Sequence, residues 1–173
     1  MANRNSILVE DGLVLSTATF AGAQHVMRIK APRIAELSKP GHFVHLRCTP
    51  DLAMRRPMSI MRADAEQQWI EILFKNHGLG TRHLGERQVG DRISLIGPIG
   101  LPFKQHGYRR LPLLIGGGVG IPPMVFLAEH LRAQSLSCFV IMGSEVPFPF
   151  KVKPSQIMVP GLPAEVIGSM PLL

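Results

Sequence analysis

Several features that would indicate a secreted or metal-binding protein are missing from this 173-residue sequence. It has only two cysteines, Cys48 and Cys138, and their wide separation is not a metal-ligand spacing. So few cysteines predict a reduced, cytoplasmic protein. No apolar segment follows the first four residues, so no signal peptide is predicted. The seven histidines include no H-x-x-x-H or H-E-x-x-H spacing, and we assign no metal.

Aromatic residues are also few, with one Trp and one Tyr, although the formal net charge is +7. The basic residues are scattered between apolar runs and form neither a basic helix nor a platform interleaved with aromatics. Nucleic acid is therefore not an expected partner. We interpret the charge as a solvated basic surface, part of which is available to phosphate-bearing cofactors or to an acidic protein partner.

One uncharged run, residues 111–128, is long enough to raise the question of a membrane span. Its glycines and prolines would leave backbone groups without hydrogen-bond partners in lipid. We therefore expect no membrane span.

The first half of the chain, to about Phe103, consists of short apolar runs with a period near two, which predicts β-strands. The clearest runs are residues 25–30, 43–47, 69–74 and 92–96. Turn residues separate them at Pro40-Gly41, Gly90-Asp91 and Gly97-Pro98. Short strands with little helix favour a small antiparallel barrel, whose closure removes exposed sheet edges.

The second half has a different pattern. Residues 111–115 form a continuous apolar run, which predicts a strand of a parallel sheet buried on both faces. A glycine-rich turn follows, then helical spacing over 121–134 that opens on two prolines, and then a second buried strand at 138–142. This order predicts one βαβ unit of a doubly wound parallel sheet. Because one such unit cannot bury both faces of its sheet, we expect the second domain to be partial.

Four consecutive residues, Arg56-Pro57-Met58-Ser59, open a predicted strand. The planar arginine fork suits a diphosphate because it donates two parallel charge-assisted hydrogen bonds. Pro57 restricts the backbone beside the arginine and so aims it. Ser59 shares a strand face with Pro57 and can hydrogen-bond the edge of a flavin ring. Taken alone, the tetrapeptide also fits an edge-strand arginine and a surface serine.

Two glycine-rich segments are candidate phosphate sites. In Gly78-Leu79-Gly80-Thr81 the glycines let the backbone approach a ligand, and we expect Thr81 to N-cap a short helix. Residues 116–120 lie between a strand and a helix, where backbone amides and the helix N-terminus bind pyrophosphate. They do not match a G-x-G-x-x-G fingerprint, because Ile121 occupies the position of its last glycine. They do not match a P-loop either. Each segment alone also fits a plain glycine turn.

Together these segments resemble the ferredoxin–NADP reductase superfamily. The Arg-Pro-x-Ser strand, the Gly-x-Gly-Thr turn, the Gly-Pro-Ile-Gly-Leu-Pro-Phe segment at 97–103 and a Gly-Gly-x-Gly-x-x-Pro turn occur in its order and approximate spacing. Within the superfamily, the chain resembles the electron-transfer subunits of dihydroorotate dehydrogenase, in which Arg-Arg-Pro-x-Ser-Ile is usual. The resemblance covers nearly all of residues 5–145.

The resemblance implies a six-stranded FAD-binding barrel over residues 1–108 and an NAD-binding α/β domain over residues 109–173. Arg56 would bind the FAD pyrophosphate, and Ser59, the candidate catalytic residue, would meet the isoalloxazine near N5. The other implied cofactor contacts are Pro57 and Met58 in the same strand; Ile72, Leu73 and Phe74 at the flavin wall; Gly78, Gly80 and Thr81 at the FAD phosphates; and Gly116, Gly117, Gly118, Val119 and Gly120 at the NAD(P)H pyrophosphate.

The implied function is electron transfer through FAD between a nicotinamide nucleotide and a partner redox subunit. That partner would be the dihydroorotate dehydrogenase catalytic subunit of pyrimidine biosynthesis, in a hetero-oligomer or dimer. The flavin would carry the chemistry, and the protein would supply orientation and dipoles.

Two departures leave alternatives open. The family subunit binds a [2Fe–2S] centre through four cysteines, whereas this chain has only two. Residues 143–150 also depart from the family stretch after the second strand, and Glu145 there fits either a contact to an NADH ribose or an exposed loop glutamate. The alternatives are a non-catalytic, reductase-like binding or scaffold module and a stand-alone flavin reductase. The choice between NADH and NADPH also stays open.

Overall fold

A computed structural model describes residues 7–104 and 111–149, together with two short strands at 153–154 and 168–169. The predicted domain boundary at residues 108 and 109 lies outside the described residues. The strands of the first unit are β1 (Leu8–Phe20), β2 (Gln24–Lys30), β3 (Phe43–Leu46), β4 (Arg56–Asp64), β5 (Trp69–Lys75) and β6 (Arg92–Ile99). Between them lie a 3₁₀ turn (Ala21–Ala23), helix α1 (Pro32–Leu37) and helix α2 (Leu79–Gly85).

The six strands close into an antiparallel barrel in the order β1-β2-β5-β4-β3-β6. Strand β2 shows the alternation of inward and outward side chains that is typical of a barrel strand. Its Met27 and Ile29 are fully buried in the barrel core, whereas Arg28 between them faces outward and is partly exposed. The predicted six-stranded antiparallel barrel is confirmed.

The second unit comprises β7 (Leu113–Gly117), a 3₁₀ turn (Gly118–Gly120), α3 (Ile121–Ala133) and β8 (Phe139–Gly143). Strands β7 and β8 pair in parallel, with Leu113 opposite Phe139. Pro122 and Pro123 lie in the first turn of α3, where a missing N–H breaks no helical hydrogen bond. The predicted parallel βαβ arrangement is confirmed. Two short strands, β9 (Lys153–Pro154) and β10 (Gly168–Ser169), pair with each other in antiparallel fashion.

Helix α3 packs the second unit onto the outer side of the barrel. At this junction Met61 of β4 forms a buried cluster with Ile121 and Val125 of α3, and Leu73 of β5 packs against it. Removing these apolar side chains from water stabilises the contact between the two units. Arginine side chains cover the outer face of the neighbouring β5. Arg28 lies 3.8 Å from the centre of the Trp69 ring, and Glu71, which accepts hydrogen bonds from Arg28 and Arg62, is only 6% exposed.

The prediction of a turn at Gly97-Pro98 was wrong, because both residues lie inside β6. A Cβ at Gly97 would stand 2.6 Å from Val44 Cγ1. Glycine at this position therefore allows close packing against the neighbouring strand β3 and does not reverse the chain.

The prediction that residues 111–115 form a strand buried on both faces was also wrong. The strand begins at Leu113, and its side chains alternate between exposed and buried. Leu113 and Ile115 are 55% and 67% exposed, whereas Leu114 between them packs in a buried cluster with Leu127 of α3. The helix covers the Leu114 face, and this explains the one-sided burial. The prediction of a buried strand at 138–142 was wrong for the same reason, because β8 begins at Phe139, and Phe139 and Ile141 are 38% and 48% exposed.

Candidate functional site

The first candidate site lies where the start of β4 meets α2. An ideal Cβ on Gly80 would stand 2.9 Å from Arg56 Nε, so the arginine side chain lies directly over this glycine. Arg56 Nη1 donates a hydrogen bond to the Met54 carbonyl oxygen at 3.2 Å, and the side chain remains partly exposed. Two segments that the sequence indicated separately are therefore in contact. The contact needs glycine, because any side chain at residue 80 would displace the arginine.

The loop before α2 is held by its own threonine. Thr81 Oγ1 accepts hydrogen bonds from the backbone N–H groups of His77 at 2.9 Å and Gly78 at 3.1 Å, and it donates to the Gly78 carbonyl oxygen at 3.1 Å. The predicted N-cap role of Thr81 was wrong, because Gly78 is the N-cap and Thr81 is the third residue of the helix. Its hydroxyl instead satisfies backbone groups of the loop that precedes the helix. Beside Gly78 the space is open, with no atom within 4 Å of an ideal Cβ.

Strand β4 places the predicted Arg-Pro-Met-Ser side chains on two faces. Pro57 is exposed and Ser59 is partly exposed, and both lie on the outer face of the barrel. Met58 belongs to the barrel core, so it can meet an outer ligand only through its backbone. Ser59 pairs with Phe43 of β3.

The second candidate site is a cleft of about 560 Å³ between the barrel and the second unit. Leu73 and Phe74 of β5 line one side of it, and residues 117–119 line the other. The cleft thus joins two segments that the sequence predicted as separate cofactor contacts. Its volume falls among those of cofactor pockets, about 300–1,000 Å³. The other lining residues are Gln24, Lys75, Ile121, Pro122, Gly143, Ser144, Glu145 and Val146.

Three residues of the predicted contact segments, Ile72, Gly116 and Gly120, do not line the cleft. Ile72 is fully buried in the barrel core. Gly116 is buried, and a Cβ there would stand 2.9 Å from both the Gly120 carbonyl oxygen and Met124 Cγ. Gly116 is therefore required for packing between the loop and α3. Gly120 is the N-cap residue of α3 and has open space around it.

The exposed part of the glycine loop presents backbone at the start of a 13-residue helix. Gly118 has φ of +51°, a left-handed conformation that glycine adopts without strain. Val119 is 93% exposed. Free amides at a helix N-terminus, together with the helix dipole, attract an anionic group.

Known proteins are similar to most of the chain, although no family model matches it. Over 138 residues, 79% of the chain, it is 35% identical to the electron transfer subunit of dihydroorotate dehydrogenase B (NAD(+)) from Desulforamulus reducens. Over 134 residues, 75% of the chain, it is 31% identical to the subunit of the same name from Geobacillus thermodenitrificans. The matches cover 53% and 52% of those proteins, so the chain spans about half the length of the curated relatives it matches.

Solved structures share the arrangement of barrel and βαβ unit. The structure of an NADH-dependent reduced ferredoxin-NADP oxidoreductase matches with a TM-score of 0.72 and 25% identity, over 78% of this chain and 48% of that chain. In sequence and in fold, the chain resembles the ferredoxin–NADP reductase superfamily. Phthalate dioxygenase reductase has the same fold, with a TM-score of 0.63 at 19% identity over 79% of this chain and 44% of that chain.

In this reductase-like chain, the sequence did not indicate the barrel residue Gln24 as part of the cleft. Gln24 is only 5% exposed, and its Nε2 donates to the carbonyl oxygens of Ala21 at 3.0 Å and Pro147 at 2.7 Å. It thereby ties β2 to the segment that follows β8. Glu145 of that segment lines the cleft, as a ribose contact would require, and is exposed. No local signal marks Gln24, because its role depends on a partner 123 residues away.

His25 supports the cleft wall of this reductase-like barrel from behind. Its ring stacks on Phe74 with centroids 5.1 Å apart and planes 14° from parallel. Its Nδ1 is hydrogen-bonded to Thr19 Oγ1 at 3.2 Å, whereas the buried Nε2 has no hydrogen-bond partner among the described residues. Burial lowers the pKa of His25, which favours the neutral ring.

The two cysteines of this reductase-like chain lie in separate parts of the fold. Cys48 is buried in the barrel core, and burial raises the pKa of its thiol despite the nearby Arg56 and Arg87. Cys138 packs against the Leu114 cluster of the second unit, and burial raises its pKa as well.

Within residues 7–104 and 111–149, no three His, Cys, Asp or Glu side chains group closely enough to hold a metal ion. Over the same ranges, no helix has the length and apolar character needed to cross a bilayer.

Proposed function

We propose that this chain is the flavoprotein part of an electron-transfer system, with FAD on the barrel and a nicotinamide nucleotide at the glycine loop. The observation that carries the proposal is the cleft, in which Leu73 and Phe74 face residues 117–119. Electron exchange between two cofactors requires that their sites be adjacent, and this cleft is lined by a predicted contact segment for each. Similarity to electron transfer subunits and to a ferredoxin-NADP oxidoreductase supports the same proposal.

The residues at the start of β4 fit a pyrophosphate. Arg56 is partly exposed, Gly80 leaves room for its side chain, and the space beside Gly78 is open. We propose that Arg56 binds the FAD pyrophosphate through its planar fork and that Thr81 maintains the shape of the phosphate loop. The hydroxyl of Ser59, on the outer face of β4, is the proposed hydrogen-bonding group for the isoalloxazine near N5.

The glycine loop fits the pyrophosphate of NAD(P)H. Residues 117–119 carry little side-chain bulk apart from the exposed Val119, and they precede the N-terminus of α3. A phosphate placed there would be met by backbone amides and by the positive end of the helix dipole. Leu73 and Phe74 would form an apolar wall that limits access of water to the facing cofactors.

When bound, FAD supplies the exchange of a hydride for single electrons. The residues of the chain bind the cofactors, orient them and exclude water from the space between them. The second electron donor or acceptor of the flavin, besides the nicotinamide nucleotide, is proposed to be a partner redox subunit in a hetero-oligomer. Because the curated relatives are named electron transfer subunits of dihydroorotate dehydrogenase B, the catalytic subunit of that enzyme is the proposed partner.

The residues present do not fit a [2Fe–2S] centre. Such a centre is held by four ligands, usually cysteines. The chain has two cysteines, Cys48 and Cys138, and they belong to different hydrophobic clusters. We therefore derive no electron-transfer step through an iron–sulfur group.

A visible spectrum of the purified chain, recorded before and after anaerobic addition of NADH or NADPH, tests the proposal. We expect flavin absorption that one of the two nucleotides bleaches. A colourless protein that takes up no added FAD would refute the proposal. Bound flavin that neither nucleotide bleaches would favour a scaffold module, and rapid reduction of free flavin without a partner would favour a stand-alone flavin reductase.

A further inference from the structure

A series of charged side chains connects the barrel to α3 on the outer side of β5. Arg62 Nε donates to both carboxylate oxygens of Glu129 at 2.9 Å, and Arg62 Nη2 lies 2.8 Å from Glu129 Oε1. Arg62 Nη1 donates to Glu71 Oε1 at 2.7 Å. The other oxygen of Glu71 accepts a hydrogen bond from Arg28 Nη2 at 3.0 Å. Arg62 therefore binds one carboxylate on the barrel and one on the helix.

These groups are shielded from water. The side chains of Glu71, Arg62 and Glu129 are 7%, 21% and 20% exposed. Burial alone would lower the pKa of Arg62, but its hydrogen bonds to Glu129 and Glu71 outweigh burial and raise it. Solvent and salt screen such a site less than a surface ion pair, and the arginine fork restricts direction as well as distance.

The helix that carries Glu129 also carries one side of the cleft. Ile121, the first residue of α3, lines the cleft together with residues 117–119, and Glu129 lies eight residues further along the same helix. Eight residues of helix span about 12 Å. A helix this short moves as one body, so a shift at Glu129 is transmitted to the glycine loop.

The apolar contacts beneath α3 do not by themselves prevent such a shift. Met61, Ile121 and Val125 form part of this contact surface, and Phe126 of α3 packs in the barrel core cluster. Hydrophobic burial has little directional preference. The hydrogen bonds from Arg62 to Glu129 are directional. They therefore add the restraint on tilt and sliding that the apolar cluster lacks.

We propose that Arg62 and Glu129 are positioning residues, which act through α3 to set the distance between the glycine loop and the wall formed by Leu73 and Phe74. They thereby determine the affinity of the cleft for a nicotinamide nucleotide. Neither residue lines the cleft, so this effect is exerted through the helix and not by contact with a ligand. The inference rests on the proposed binding of a nucleotide at the glycine loop.

The leading variant is Glu129→Gln in the full chain, because it leaves Arg62 paired with Glu71 and preserves side-chain size. We expect its dissociation constant for NADH to rise by about tenfold, with flavin content and the rate of flavin reduction at saturating NADH unchanged. Arg62→Gln should change the dissociation constant in the same direction. The double variant should bind NADH no more weakly than the weaker single variant, because both substitutions break one contact.

Two exposed residues provide matched controls, Glu66→Gln for Glu129→Gln and Arg92→Gln for Arg62→Gln. Both controls should bind NADH as the wild type does. Wild-type affinity in Glu129→Gln and Arg62→Gln would overturn the inference, and so would additive effects in the double variant. Parallel loss of flavin and nucleotide would also overturn it, because that result indicates general destabilisation. A wild-type chain that binds flavin or NADH in neither titration contradicts the proposed function itself, which separates the two failures.

Discussion

Replacement of Gly80 by alanine should separate ligand binding from folding at the start of β4. The new Cβ would stand 2.9 Å from Arg56 Nε, 3.3 Å from its Cγ and 3.4 Å from its Cζ. These distances are shorter than the optimal separation of about 3.5–4.0 Å between non-bonded heavy atoms. The arginine side chain must therefore move. The backbone can stay in place, because Gly80 lies inside α2, where alanine is the better helix former.

The two contributions to folding are expected to offset each other. Alanine is favoured over glycine in a helix by about 1 kcal/mol, and a displaced arginine rotamer costs about 0.5–1.5 kcal/mol. The free energy of unfolding should thus stay within about 1 kcal/mol of the wild-type value. Loss of a charge-assisted hydrogen bond to phosphate is larger, about 1.5–3 kcal/mol, which raises a dissociation constant by about tenfold to a hundredfold.

Titration of the apoprotein with FAD, followed by flavin fluorescence, measures the dissociation constant, and urea denaturation measures the free energy of unfolding. Arg56→Ala should weaken FAD binding as Gly80→Ala does, and the double variant should lose no more. Gly120→Ala is the control, because a Cβ there meets nothing within 4 Å and the residue belongs to the second unit. Normal folding with wild-type FAD affinity in Gly80→Ala would show that Arg56 does not hold the pyrophosphate.

Other positions make independent tests possible. Ser59→Ala should retain FAD but slow its reduction by NADH about tenfold in stopped-flow measurements, because one hydrogen bond to the ring edge is lost; an unchanged rate removes Ser59 from the site. Gly116→Ala should lower the free energy of unfolding by about 1–3 kcal/mol in urea denaturation, because its Cβ would stand 2.9 Å from a backbone carbonyl oxygen; unchanged stability contradicts the packing role. Burial lowers the pKa of His25, so below about pH 6.5 the unfolded chain binds more protons than the folded chain, and the free energy of unfolding should fall as pH drops. In urea denaturation at several pH values, the free energy of unfolding of His25→Phe, which keeps a ring on Phe74, should fall less steeply with decreasing pH than that of the wild type. Part of the slope should remain, because burial also lowers the pKa of His42. Equal slopes in the variant and the wild type would exclude His25 as a source of the pH dependence.

Local patterns in the sequence were sufficient to predict several of the elements and a barrel followed by a βαβ unit, whereas β1 and α1 were not predicted. The predicted strands 25–30 and 69–74 agree with β2 and β5 to within one residue at each end. The predicted helix 121–134 agrees with α3 to the same extent. Such patterns are informative because alternation of apolar residues, proline at a helix start and glycine at a turn act through near neighbours in the chain.

The same local reasoning failed where a distant residue decided the outcome. Gly97 reads as a turn residue beside proline, but Val44 on a neighbouring strand is the reason that glycine is needed. Thr81 reads as a helix cap, but its hydroxyl is used by the backbone of the preceding loop. The Leu113 strand reads as buried on both faces, but α3 covers only the face that carries Leu114.

The amino-acid sequence specifies which residue types are available for a diphosphate, a flavin edge and a second pyrophosphate, and in what order. The tertiary structure places Arg56 over Gly80 and the wall formed by Leu73 and Phe74 opposite the glycine loop. It also brings Arg62 into contact with Glu129, which lies 67 residues further along the chain. Sequence patterns do not show these contacts, because barrel closure and helix packing bring together side chains whose spacing along the chain has no period and no local signal.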